Sequence, residues 1–200
     1  MKVNEGGPSR HRRQVSSITL NPKMIDMPGD ETVFECRRCG TCCRDLVQED
    51  KGVLRGLTLL PGEEGLFPEA SVRPAVGIVR RPHERGFTVI AHQLVEETCP
   101  HLGEAECRIH DRRPASCRQF PFSLREGPQG RQQMGLDLNC PALAELVEGR
   151  TDLRIRFEDR PSAERLLEVS ARARERPKKA WFYDLENGKW MRYDSLINEC

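Results

Sequence analysis

Cys36, Cys39, Cys42 and Cys43 stand in the run Cys36-x2-Cys39-x2-Cys42-Cys43, and Cys99, Cys107, Cys117 and Cys140 follow downstream. Thiols spaced this closely are soft donors that can converge on one point, as a zinc ion or an iron–sulfur cluster requires. The C-x2-C-x2-C spacing leans towards iron–sulfur, because ferredoxin-type sites pair such a run with a later cysteine followed by proline. Cys99-Pro100 and Cys140-Pro141 both supply that dipeptide. A zinc ribbon shows two separated C-x2-C knuckles, and only one such region is present. A second complete ferredoxin run is also missing, so an ordinary two-cluster ferredoxin is excluded. Eight thiols can complete two four-ligand sites, or one site with thiols to spare. Cys36, Cys39 and Cys42 are expected to hold one site with either Cys99 or Cys140. Cys43, Cys107 and Cys117 then contribute to a second site or complete the first. Successive side chains diverge, so Cys42 and Cys43 are expected to serve different sites or to leave one thiol free.

Arg37, Arg38, Arg44, Arg108, Arg113 and Arg118 flank these cysteines. Guanidinium groups so placed lower thiol pKa values and offset the charge of a metal–thiolate centre. That role, or pairing with carboxylates such as Asp111, is expected of Arg113 and Arg118 ahead of binding an anionic substrate. His110, close to Cys107, and His101, after Cys99-Pro100, are expected to be hydrogen-bonded structural residues, with ligation or proton transfer as the alternative. No glycine-rich phosphate loop or dinucleotide fingerprint is present. Cys200 stands apart and reads as a free thiol.

The ordered motifs Cys36-x2-Cys39-Gly-Thr-Cys42-Cys43, Cys99-Pro-His-Leu, and Cys107 through Arg113-Pro114-x2-Cys117-Arg118-x-Phe120-Pro121 resemble the YkgJ-type cysteine-cluster family. The resemblance covers about residues 34–141. It implies a zinc- or iron-chelating domain, often labelled an iron–sulfur protein or oxidoreductase, and it extends to the cysteine-rich part of flagellin lysine N-methylases. His110 departs from the pattern, where the family more often has tyrosine. The expected function is a metal-binding cysteine-cluster protein that carries an iron–sulfur cluster, the 4Fe–4S form favoured, with a redox or electron-transfer role. Whether it is an enzyme, an iron–sulfur oxidoreductase, stays open. The alternatives are a structural zinc module and the iron–sulfur component of a protein lysine methyltransferase that uses S-adenosylmethionine. The expected partners are the metal ion or cluster and a protein redox partner.

The elements that must position these residues come from the rest of the chain. With 37% hydrophobic and 32% charged residues among 200, the chain is expected to form a small irregular α+β domain with a modest core, cross-linked by cysteine-bound metal. A net charge of +1 offers no argument for nucleic acid. No apolar run is long enough to span a membrane, and the basic N-terminus lacks the apolar stretch of a secretory signal. The expected location is therefore cytoplasmic, where clustered thiols point to metal or redox chemistry ahead of disulfides. Three sections are expected: a flexible arm at 1–30, the cysteine-cluster domain at 31–149, and a helix plus β-hairpin appendage at 150–200.

Within them, a short strand is expected at Val33–Phe34, then a turn and a first helical turn through the cysteine run. Loops and short helical turns are expected from Asp45 to Pro68, and a hairpin at Val76–Arg80 and Phe87–Leu94. One helical turn at Ile109–Arg112 is closed by Pro114, with a strand at Gln133–Leu138 and a helix at Pro141–Val147. Further on, a strand is expected at Leu153–Phe157 and an amphipathic helix at Pro161–Arg176 that buries Ala163, Leu166, Leu167, Ser170 and Ala173. A type I′ hairpin around Asn187-Gly188 follows.

Overall fold

The computed structural model describes residues 32–50, 52–104, 106–127, 130–150 and 155–194. The expected arm at 1–30 and Cys200 lie outside the described residues, as do the first two positions of the strand expected at Leu153–Phe157. The chain enters through β1 (Thr32–Val33), passes the cysteine run, and forms three short strands: β2 (Gln48–Asp50), β3 (Val53–Arg55) and β4 (Leu57–Leu59). Two long strands follow, β5 (Val72–Ile78) and β6 (Thr88–Leu94), then α1 (Ala115–Gln119) and the hairpin β7 (Phe122–Glu126) and β8 (Gln132–Leu136). The last section holds α2 (Pro141–Val147), β9 (Ile155–Arg156), α3 (Arg160–Glu175), β10 (Ala180–Asp184) and β11 (Lys189–Arg192). The architecture is α+β, and among the described residues no helix is long and apolar enough to cross a membrane.

An antiparallel sheet in the order β11-β10-β5-β6-β4 is the largest element. The expected hairpin supplies its centre, with Val72 opposite Leu94 and Ile78 opposite Thr88. Pro74 lacks a ladder donor, and the register shifts between Pro74 and Val76. β10 then pairs with β5, Ala180 opposite Ile78 and Phe182 opposite Val76. The helix and hairpin expected after residue 150 are both present, and the hairpin is hydrogen-bonded into the sheet of the preceding section. α3 packs on this sheet: Val169 and Ala173 share a core with Val76, Ile90, Ala91 and Phe182. The buried face of α3 runs through Val169, whereas Ser170 is exposed.

Two smaller cores complete the molecule. Phe122, Met134, Leu136, Leu143 and Ile155 join β7, β8, α2 and β9. Leu46, Leu59, Phe67 and Leu94 form the other together with Cys43 and Cys99.

Several local expectations need correction. Residues 45–68 are not only loops: β2 and β3 form a short hairpin, β4 pairs with β6, and distant side chains hold the connection between them. Leu54 N–H donates to Asp184 Oδ1 at 3.0 Å, and Gly56 N–H donates to Gln93 Oε1 at 2.8 Å. The helical turn expected at Ile109–Arg112 is present as a 3-10 turn at His110–Arg112 that ends before Pro114, but the segment after it is not a loop. Pro114 also opens α1, where its carbonyl accepts from the Cys117 and Arg118 amides, and proline has no amide hydrogen to lose at a helix start. The strand β7 lies where no strand was expected. Finally, Asp184 pairs with Lys189, so the last hairpin has four loop residues, and of Asn187 and Gly188 only the glycine has positive φ. A two-residue type I′ turn requires both.

Asp184 explains that loop. Its carboxylate, 2% exposed, accepts from the amides of Leu54 and Glu186 and from Asn187 Nδ2. Burial alone would raise the Asp184 pKa, but the hydrogen bonds from the Asn187 side chain and the neighbouring amides outweigh it and hold the group below its ordinary value. Its contribution is therefore complete above the unfolded-state pKa and is lost as pH falls through the lower folded value. Asp184→Ala is expected to cost about 2–3 kcal/mol in urea denaturation at neutral pH. The stability gap between the natural chain and Asp184→Asn should narrow in acid. Equal stability of the natural chain and both variants at pH 7 would show that the loop does not depend on this carboxylate.

Candidate metal centre

Four stretches of chain bring the cysteines together. The first runs from β1 to a 3-10 turn at Thr41–Cys43, entered through Gly40 in the left-handed region (φ 74°). The positive φ favours glycine there, and a Cβ would also displace Leu102 Cδ1, 2.8 Å away. Within this stretch Arg38 N–H donates to Cys36 Sγ at 3.4 Å, and Cys39 Sγ lies 3.3 Å from Thr41 Oγ1. The second stretch is tied to the first by the backbone, Cys99 N–H donating to Cys43 C=O at 2.8 Å and Leu46 N–H to Glu97 C=O at 3.0 Å. Cys107 follows on a tight reversal, bridged to Leu102.

Cys117 sits on α1, which is pinned from outside. Ala115 N–H donates to Glu63 Oε1 at 2.9 Å, and Ser116 Oγ donates to the Thr58 carbonyl at 2.6 Å. Cys140 occupies the N-cap position of α2, ahead of Pro141. Arg37 reaches across to α2 and donates to both carboxylate oxygens of Glu145, at 2.9 and 2.6 Å. This fork joins the stretch bearing Cys36 and Cys39 to the helix behind Cys140.

All eight cysteines line one cavity of about 50 Å³, whose walls are completed by Phe34, Phe67, Ile109, Pro114 and Phe120. Cys36 and Cys39 are exposed at its rim, and Cys43, Cys99 and Cys140 are buried. Among the described residues no three histidines, cysteines or carboxylates are already gathered at metal-bonding geometry, so the sulfurs surround the space without pointing at one centre. They fall into two groups by mutual influence. Cys39 and Cys36 bear on Cys140, while Cys42, Cys99 and Cys107 bear on Cys117. Cys43 belongs with the second group, its thiol within hydrogen-bonding reach of both Cys42 and Cys99. The adjacent pair Cys42 and Cys43, expected to face two ways, thus shares one neighbourhood.

The donor chemistry fits a soft cation. Hydrogen bonding from Cys43 lowers the Cys99 thiol to about 6 against the opposing effect of burial. The same donor lowers Cys42 to about 7, with Arg113 assisting. Cys43 itself is pushed up, because its proton serves both neighbours. Burial raises Cys117, Cys107 and Cys140, and nearby thiolate charge raises them further. A bound zinc ion or iron–sulfur cluster removes that penalty, since it takes the thiolate form and cancels much of its charge. The residues present would hold either group.

The histidines are otherwise engaged. His101 Nε2 is 2.7 Å from the Leu66 carbonyl, and the His110 ring nitrogens lie 3.1 and 2.9 Å from Arg113 Nη1. Arg113 pairs with Asp159 at 3.5 Å, not with Asp111. Glu63, Glu145 and Asp159 carried no spacing signal. Each acts across a long sequence separation, and only the fold brings it to the site.

No curated protein and no solved structure matches the chain. Residues 35–141 match the family model CxxCxxCC, described as "Putative zinc- or iron-chelating domain". That span begins beside Cys36, ends just after Cys140, and takes in every cysteine on the cavity. A chain whose eight thiols share one cavity, over the stretch that the family model covers, belongs to the CxxCxxCC family of metal-chelating cysteine-cluster domains.

Proposed function

We propose that Cys36, Cys39, Cys42, Cys43, Cys99, Cys107, Cys117 and Cys140 hold an iron–sulfur cluster, with 4Fe–4S favoured, and that the protein passes electrons through it. The observation that carries this reading is the single cavity onto which the C-x2-C-x2-C run and the Cys140 that precedes Pro141 converge, the ligand pattern of ferredoxin-type sites. When bound, such a cluster supplies reversible electron transfer.

The chain's own residues prepare the cavity for it. The Arg38 amide donates to Cys36 Sγ, and hydrogen bonding to sulfur is one of the means by which a protein tunes a cluster's potential. Arg113 places a cation beside Cys42, Cys107 and Cys117. Phe34, Phe67 and Phe120 keep water from the inner face. The rim at Cys36 and Cys39 is exposed, which gives a protein redox partner an approach to the centre. A reducing cytoplasm is the setting in which eight such thiols stay available for metal.

Anaerobic purification followed by metal and acid-labile sulfide analysis tests the identity of the group. The expected result is iron and sulfide in equal amounts, with a visible spectrum that bleaches and returns on reduction and reoxidation. Stoichiometric zinc without sulfide would sink the iron–sulfur reading and leave a structural zinc module.

The site itself is tested by substitution. Cys99→Ser removes a buried thiol whose neighbours are Cys42 and Cys43, and it is expected to lower bound metal by at least half. Cys200→Ser, outside the span 35–141 that the family model matches, should bind as the natural chain does. Unchanged metal content in Cys99→Ser would remove Cys99 from the ligand set.

A further inference from the structure

We infer that a second cavity, beside the metal centre, binds an organic anion through the guanidinium groups of Arg118 and Arg38. This cavity measures about 520 Å³ and shares Cys36 with the wall of the metal site. Phe34, Phe122 and Phe157 line its apolar side, and Arg38, Arg113, Arg118 and Arg156 bring four cations to it. Two of these already have carboxylate partners on the same wall. Arg113 lies 3.5 Å from Asp159, and Arg156 lies 3.9 Å from Glu158. Arg118 and Arg38 are different: among the described residues neither is ion-paired with a carboxylate, although Glu35 lies on the same wall. Their charge is permanent, and a carboxylate or phosphate is the partner whose geometry matches the guanidinium fork.

The thiols do not supply that partner. Arg113 is the cation that acts on Cys42 and Cys117, and Arg37 is the one near Cys39 and Cys140. Arg118 is absent from the wall of the thiol cavity, although it follows Cys117 directly on α1. Successive residues of this helix therefore face two spaces: Cys117 the metal site, Arg118 the neighbouring cavity. Arg38 stands between Cys36 and Cys39 and reaches the same cavity from the other side. An anion held between Arg118 and Arg38 would rest its apolar body on the phenylalanines and lie against the Cys36 edge of the centre. The ligand class is a small organic carboxylate or phosphate monoester with an apolar body.

Ligand-detected NMR titration of the full chain with benzoate, phenyl phosphate and inorganic phosphate tests the site. Saturable binding of benzoate or phenyl phosphate, tighter than inorganic phosphate, is expected. The better of the two organic probes identifies the head group. Arg118→Gln should weaken that probe at least tenfold, while the metal content of the protein stays that of the natural chain. Arg38→Gln, at an exposed position that leaves the core untouched, should weaken it severalfold, and Arg165→Gln on α3 should leave it unchanged. Absence of saturable binding by all three probes would overturn the proposal. So would equal affinity in the natural chain and in both Arg118→Gln and Arg38→Gln. Loss of metal from Arg118→Gln with undiminished anion affinity would instead make Arg118 a counter-ion of the thiols and also overturn it.

Discussion

Gathering eight thiols on one small, largely apolar cavity is the constraint on which the rest of this structure depends. Each sulfur is more easily ionised when it is hydrated, and each resists ionisation when its neighbours are already charged. Both effects oppose thiolate formation at Cys107, Cys117 and Cys140. The inner end of the cavity shows the partial solution open to the chain by itself, one Cys43 proton serving Cys42 and Cys99 together. A soft cation takes the thiolate form and offsets this cost, so metal chelation and the stability of such a cluster are linked.

The fold meets the constraint without a large core. Of three modest apolar clusters, two adjoin the cavity and include cysteines that line it: Cys140 in one, Cys43 and Cys99 in another. Between these clusters the chain relies on a few directed polar contacts. Gln93, 1% exposed, accepts from the Gly56 amide and donates to the Pro74 and Tyr183 carbonyls, so one side chain joins the β3–β4 connection, β5 and β10. Asp184 does the same for β3 and the last hairpin loop. The five-stranded sheet under α3 is thus cross-linked by buried side chains as well as by its ladders. α1 is attached to its edge through Ser116 and Thr58, so Cys117 is positioned by the sheet.

What could be read from the sequence follows from how local each signal is. Pro141 at the first position of α2, Pro161 opening α3 and the Pro82–Gly86 turn between β5 and β6 are settled by residues within one turn of themselves, and each stands as expected. The α+β class and the cysteine-cluster family were legible for the same reason, since the motif order is written in the chain. The strands β2 to β4 were not legible, because the β2–β3 hairpin is only three residues a side and is held by Asp184, and β4 pairs with β6, both far along the sequence. Asn187-Gly188 gave the hairpin but not its loop, because the Asp184 carboxylate holds four residues where local chemistry favours two. The Arg37–Glu145 fork and the Glu63 contact with α1 span long separations and left no trace in spacing.

The sulfurs of the cavity are not equivalent. Cys36 and Cys39 are exposed at the rim, and Cys43, Cys99 and Cys140 are buried. Cys42 lies between them on the 3-10 turn, one residue from Thr41, whose hydroxyl contacts Cys39 at the rim, and beside Cys43 at the buried end. The Cys42 thiol is lowered by the same neighbour that is itself held protonated, so adjacent residues of one short turn differ in how readily they ionise. The turn entered through Gly40 therefore does more than bring sulfurs close: it places the readily ionised thiol of the run next to the one that resists ionisation.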